Sequence, residues 1–193
     1  MIHKRQKYPG DLNELLVQAN NIADCIFDKL QKNDCPTIND LYIKVKRTYA
    51  NGCRHIISRN KELFNAQGYD PNIQAANSKS LNEFKGLYVF GELGSHSIHP
   101  VYVGISRSVY RRLKQHGYGT LHNECTLAYL LASDKDKSIT RSTSDHIILK
   151  PQKEIVRNFK VALYPVDNDY ELYFYEVVLA GIFKTKWNSF RTH

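Results

Sequence analysis

A lone carboxylate, Glu176, sits in a run from Leu172 to Phe183 that holds no other charged residue. An ionised carboxylate in so apolar a segment is costly unless a cation pairs with it or a metal ion binds it. Two explanations stay open: an ion pair with a structural arginine, or a functional acid. Several arginines nearby in sequence have no acidic neighbour, which favours the second. A complementary feature lies upstream. From Leu93 to Asn123 there is no acidic residue, while Arg107, Arg111, Arg112 and Lys114 all fall there. A short helix of one sign suits phosphate contacts, and a solvated basic face is the plain alternative. Tyr88 and Tyr102 form a third feature, each beside a glycine (Gly86 before, Gly104 after). With 13 tyrosines in the chain, ordinary core aromatics would explain that pair equally well.

These side chains need elements to position them. Gly86 to Phe90 reads as a strand and Val101 to Gly104 as a second, so the two form a hairpin with a long turn. Ser106 is placed to cap a helix running through Val109 and Leu113 to His116, stopped by Gly117. Cys125 to Ala132 reads as a helix, and Asp134 to His146 as an exposed polar stretch. Arg141, among Ser and Thr, is a candidate phosphate contact there; a surface loop with no task is the alternative. Phe159 to Val166 alternates like a strand. Asn168 with Glu171 caps a last helix over 169–184, apolar on nearly every side and so expected to be buried.

Upstream, Asp11 with Glu14 suggests a capping box. Leu12, Leu15, Leu16, Ala19, Ile22, Ala23, Ile26, Phe27 and Leu30 follow helical spacing. After a break at Asn33–Pro36, Thr37 is placed to cap a second helix carrying Leu41, Val45 and Tyr49. Gly52 interrupts it before a segment reaching Phe64. Residues 66–82 read as a linker. The expectation is an N-terminal helical lobe with its linker over 1–82, and an α+β domain over 83–193 built from a small antiparallel sheet flanked by helices.

The chain has 193 residues, 42% hydrophobic and 24% charged, ordinary for a globular protein. Its 27 basic and 19 acidic side chains leave a formal charge of +8, which favours a polyanionic partner. Cysteines 25, 35, 53 and 125 form no close pair, which argues against a structural zinc site and suits reduced thiols in a cytoplasm. No apolar stretch follows the basic start, as a secretory signal would require, and no run approaches a membrane span.

Taken in order, Gly86-Leu87-Tyr88, Tyr102-Val103-Gly104, Arg112, His116, Glu176 and Asn188 resemble the signature of the GIY-YIG nuclease family. The step of ten from Tyr102 to Arg112 and of four to His116 matches the family pattern. Leu87 and Val103 replace the central isoleucines of the two triplets, the intervening loop is long, and 133–158 has no counterpart. The twelve-residue step from Glu176 to Asn188, with Trp187 before it, is similar to the restriction-enzyme branch. The resemblance covers roughly residues 84–190.

It implies a phosphodiester-hydrolysing endonuclease acting on DNA. Glu176 would hold one divalent cation, Mg²⁺ or another such as Mn²⁺. Arg112 would bind the phosphate, with Arg111 its rival in sequence. Tyr88 would be the general base, Tyr102 and His116 would orient water or move protons, and Asn188 would fix the geometry. Arg107, Arg111, Lys114 and Arg141 would contact nucleic acid. An enzyme cutting both strands with one site per chain often works as a homodimer. A repair or mobile-element nuclease acting on damaged or branched DNA, and a module that grips nucleic acid without cutting, remain the alternatives.

Overall fold

Asp11 starts the first helix, α1 (Leu12–Gln31), by accepting a hydrogen bond from the Asn13 amide at 2.6 Å. The expected box with Glu14 does not form: the Asp11 side chain accepts from the Asn13 amide rather than from that of Glu14. Leu15, Ala19, Ile22, Ala23, Ile26 and Leu30 make the buried stripe of α1, in the spacing the sequence suggests. The computed structural model describes residues 6–66, 83, 85–145, 147–188 and 190. The expected linker lies outside them from residue 67 to 82.

Thr37 does cap a helix. Its hydroxyl accepts from the Asp40 amide, and the Asp40 carboxylate accepts from the Thr37 amide at 2.8 Å. That helix, α2 (Ile38–Leu41), is a single turn. The expected helix through Val45 and Tyr49 is instead an antiparallel ribbon of β1 (Tyr42–Tyr49) and β2 (Gly52–Arg59). The reason is chemical. Ile43, Val45, Thr48, Ile56 and Ile57 are β-branched and stiff at χ1, which favours extended backbone. Gly52 closes the turn at φ 112°, a conformation open to glycine and strained in other residues.

After α3 (Lys61–Ala66), β3 (Gly86–Leu93) and β4 (Ile98–Ser106) form the expected hairpin. Then come α4 (Val109–Tyr118), α5 (Thr126–Lys135), α6 (Lys150–Asn158), β5 (Lys160–Pro165) and α7 (Asp169–Phe183). The expected Ser106 cap moves to Ser108, which makes no side-chain cap bond, and α6 fills the stretch that had no assignment. β3 lies between β4 and β5, antiparallel to both, which leaves β4 at an edge. The pairing shifts between Phe90 and Gly91, where Val101 bulges from β4.

The sheet separates two apolar clusters, as alternation along a strand demands. Leu87, Val89, Val103 and Ala162 pack on one side against α1 and α7. Tyr88, Phe90, Val161 and Leu163 pack on the other against α2, α4, α5 and α6. Burying each large side chain contributes about 1.5–3 kcal/mol, so both layers are needed. The N-terminal elements therefore do not form a separate lobe. α1 belongs to one cluster, Ile38, Leu41 and Phe64 to the other, and the boundary expected near residue 82 divides neither. The chain is α+β, a small antiparallel sheet flanked by helices, with a further two-stranded ribbon. The helix α7 departs from expectation too: Tyr173 and Val177 are 63% and 53% exposed, so one apolar face is open. Among the described residues, no helix is long and apolar enough to cross a membrane.

Candidate active site

Tyr88 projects from the central strand toward α4. Its ring lies over Gly104 of the neighbouring strand, and a β-carbon at 104 would collide with the phenol ring and hydroxyl. That close approach is why the tyrosine of one triplet and the glycine of the other go together. The Tyr88 hydroxyl shares a 2.9 Å hydrogen bond with His116 Nε2. The two rings pack at 5.4 Å, and Tyr102 closes a third side at 6.3 Å from Tyr88 and 5.8 Å from His116.

His116 is fully buried, held by Phe90 against its ring at 5.3 Å. Burial first, then the Arg112 charge, pushes its pKa well below the usual imidazole range, so it is neutral at pH 7. Its Nδ1 has no hydrogen-bond partner among the described residues. Burial likewise raises both phenols. Tyr88 is raised well above the ordinary tyrosine range by burial and by Tyr102, with Arg112 opposing. Tyr102, partly buried, is raised by burial, with Arg112 opposing and Glu176 adding to the rise.

Arg112 and Arg111 separate cleanly. The α4 helix turns Arg111 to solvent and Arg112 inward, beside the two phenols. A loop holds the Arg112 guanidinium from behind: it donates to Asn123 O at 2.9 Å, Glu124 O at 3.0 Å and Thr126 Oγ1 at 3.1 Å. Glu124 shapes that loop by accepting from the Thr120 and Leu121 amides. The sequence does not show these supports. A backbone carbonyl as a partner leaves no trace in residue type.

Glu176 comes from the other side of the sheet, on α7, and its charge reaches both Tyr88 and Tyr102. Burial raises its pKa to about 7. It makes no hydrogen bond or ion pair among the described residues, so the structural-arginine explanation does not hold there. Asn188 does something else. Its amide accepts from Val103 N and donates to Val103 O, both at 2.8 Å, while the Thr185 hydroxyl donates to its Oδ1 at 2.9 Å. It pins the strand between Tyr102 and Gly104, and its side-chain oxygen is taken up by Val103 N and the Thr185 hydroxyl.

The surface cations divide. Arg107 is not the open phosphate contact expected, because Asp169 holds its guanidinium at 2.6 Å, and Asp169 also meets the buried Lys85 at 3.0 Å. Lys114 donates to Ile57 O at 2.7 Å and so fastens β2 to α4. Arg111 and Arg141 are exposed. The structure thus brings Tyr88, Tyr102, Arg112 and His116 together, with Glu176 in electrostatic range of the two phenols and Asn188 behind them. Comparison with protein-family models, curated proteins and solved structures finds no match.

Proposed function

We propose that this chain is a metal-dependent DNA endonuclease of the GIY-YIG type, with the restriction-like branch as the nearer form. One observation carries the reading: an unpaired carboxylate on α7 acts on two phenols that an anchored guanidinium flanks. Those groups come from distant parts of the chain, in the order and spacing of the family signature.

Phosphodiester hydrolysis needs an oriented water, charge neutralisation at phosphorus and help for the leaving oxygen. The donor set suits a divalent cation. Glu176 is an oxygen donor without a partner, and burial makes its bare charge unfavourable. Among the described residues no group of three or more His, Cys, Asp or Glu is placed to cage a metal. Glu176 would therefore be a single anchor, which fits Mg²⁺ with its retained waters and substrate ligands better than a two-metal clamp. Such an ion, or Mn²⁺, would supply positive charge that lowers the pKa of nearby phenol and water.

The chain's own groups do the rest. Arg112 binds a phosphate oxygen through the planar fork its backbone partners hold still. Tyr88 is neutral at rest, so it acts as base only once positive charge beside it has driven its own proton to solvent. Neutral His116 holds the Tyr88 hydroxyl in place. Tyr102 completes the wall that orients water.

Plasmid incubation tests this. Wild-type protein with Mg²⁺ should convert supercoiled DNA to cut forms, EDTA should stop it, and Glu176→Ala should bind DNA without cutting it. Undiminished cutting by Glu176→Ala defeats the assignment, and binding without cutting by the wild type with either metal would favour a non-catalytic module.

A further inference from the structure

Between Asp40 and Glu62 the chain carries Lys44, Lys46, Arg47, Arg54, Arg59 and Lys61 and no acidic residue. Nearly all of these lie on the β1–β2 ribbon. Its register sets Arg47 opposite Arg54 and Lys46 opposite His55. The Arg47–Arg54 pair sets like charges directly across the strands, which destabilises a ribbon, so folding alone gives no reason for it. Among the described residues no carboxylate pairs with Lys44, Lys46, Arg47 or Arg54. Every residue from Lys46 to His55 is exposed. A polyanion is the complement such a surface lacks.

The ribbon's root is fixed. The Tyr42 hydroxyl donates to Tyr110 O, Lys114 donates to Ile57 O at 2.7 Å, and the Arg59 guanidinium sits 5.2 Å over the Tyr110 ring. Tyr110 and Lys114 belong to α4, the helix that also carries Arg112 and His116. A strand rises about 3.3 Å per residue, so the exposed part extends on the order of 15 Å from that base. A two-stranded ribbon is among the shapes that the major groove, about 12 Å wide, admits.

We infer that the β1–β2 ribbon is a docking arm for duplex DNA, with Lys46, Arg47, Arg54 and His55 meeting its phosphates along a groove. The choice of DNA over other polyanions rests on the nuclease reading. Sharing α4 as its base, the arm fixes where the duplex lies relative to Arg112.

The test is anisotropy of a labelled 30-base-pair duplex with the full chain in EDTA, across a salt series. Lys46→Ala/Arg47→Ala/Arg54→Ala should weaken binding about 100-fold near 0.1 M salt and flatten the log–log salt slope by about 2–3. Lysine at 47 and 54 should keep most of the binding. Should the triple variant lose its circular dichroism spectrum, Arg47→Ala and Arg54→Ala singly, each flattening the slope by about 1, decide the matter. Unchanged affinity and slope overturn the arm, and so does polyglutamate binding through the ribbon as tightly as the duplex. Ribbon-dependent binding without cutting under any divalent ion keeps the arm and defeats the nuclease. Cutting with a dispensable ribbon does the reverse, and no duplex binding by the wild type defeats both.

Discussion

The molecule contains two antiparallel hairpins that differ in almost every physical respect. The β3–β4 hairpin is covered on both faces, and its tyrosines pack against histidine and phenylalanine. The β1–β2 ribbon is exposed along most of its length, and Arg47 faces the like charge of Arg54 across its strands. The first gains its geometry from neighbours that leave a phenol no second position. The second gains nothing from neighbours beyond its root, so packing within the fold does not account for its charge. The same backbone motif thus serves rigidity in one place and reach in the other.

Three experiments press on that contrast. The largest effect is expected in the rigid hairpin's partner helix. Arg112→Ala should lower the cleavage rate by about 10²–10³-fold, the usual cost of removing a fixed transition-state charge. Arg111→Ala should change it less than about threefold, as expected of a rim contact. Equal losses in a plasmid assay would mean that the inward turn of Arg112 has no catalytic meaning.

Next in size is Gly104→Val. The new side chain meets the Tyr88 ring, and overpacking of this kind costs about 1–3 kcal/mol in urea unfolding. Thr48→Ala, on the exposed ribbon, should stay within about 0.5 kcal/mol. Similar costs at both positions would erase the distinction between a packed hairpin and a free one.

The smallest effect concerns pH. The folded pKa of Glu176 is raised to about 7 by burial, above its ordinary value of 4.5. The folded chain therefore holds the proton more tightly than the unfolded one. Its contribution to stability is complete below pH 4.5 and is lost as pH rises through about 7. Glu176→Gln should remove that decline. In EDTA it should melt a few degrees above the wild type at pH 8 and match it at pH 4. Added Mg²⁺ should raise the melting temperature of the wild type at pH 8 and leave the variant unmoved. Parallel melting curves at all pH values would show that the carboxylate is already compensated.

Residue order gave access to more of the site than of the scaffold. Tyr88, Tyr102, Arg112 and Glu176 carry chemistry in their types, and their convergence follows once a hairpin, a helix after it and a late helix are in place. The ribbon departs from the helical reading because Leu41, Val45 and Tyr49 fit a helical spacing while β-branched residues and Gly52 favour strands. Pattern and propensity conflict, and propensity wins where the ribbon leaves its base and most side chains are exposed. Arg107 looked open because its partner Asp169 lies 62 residues away. Such pairings are a property of the folded chain and of nothing local. The exposed face of α7 escaped notice for a similar reason: an apolar run does not say how many sides of it will find cover.

The clasp behind Tyr102 has one more effect. An outermost strand ordinarily presents free amides and carbonyls to any passing extended chain. Here Trp187 N donates to Val101 O at 3.1 Å, and the Asn188 side chain occupies both backbone groups of Val103. A foreign strand approaching that margin finds those groups already engaged, so the residues that steady the strand carrying Tyr102 also protect the sheet from growing by one chain at a time.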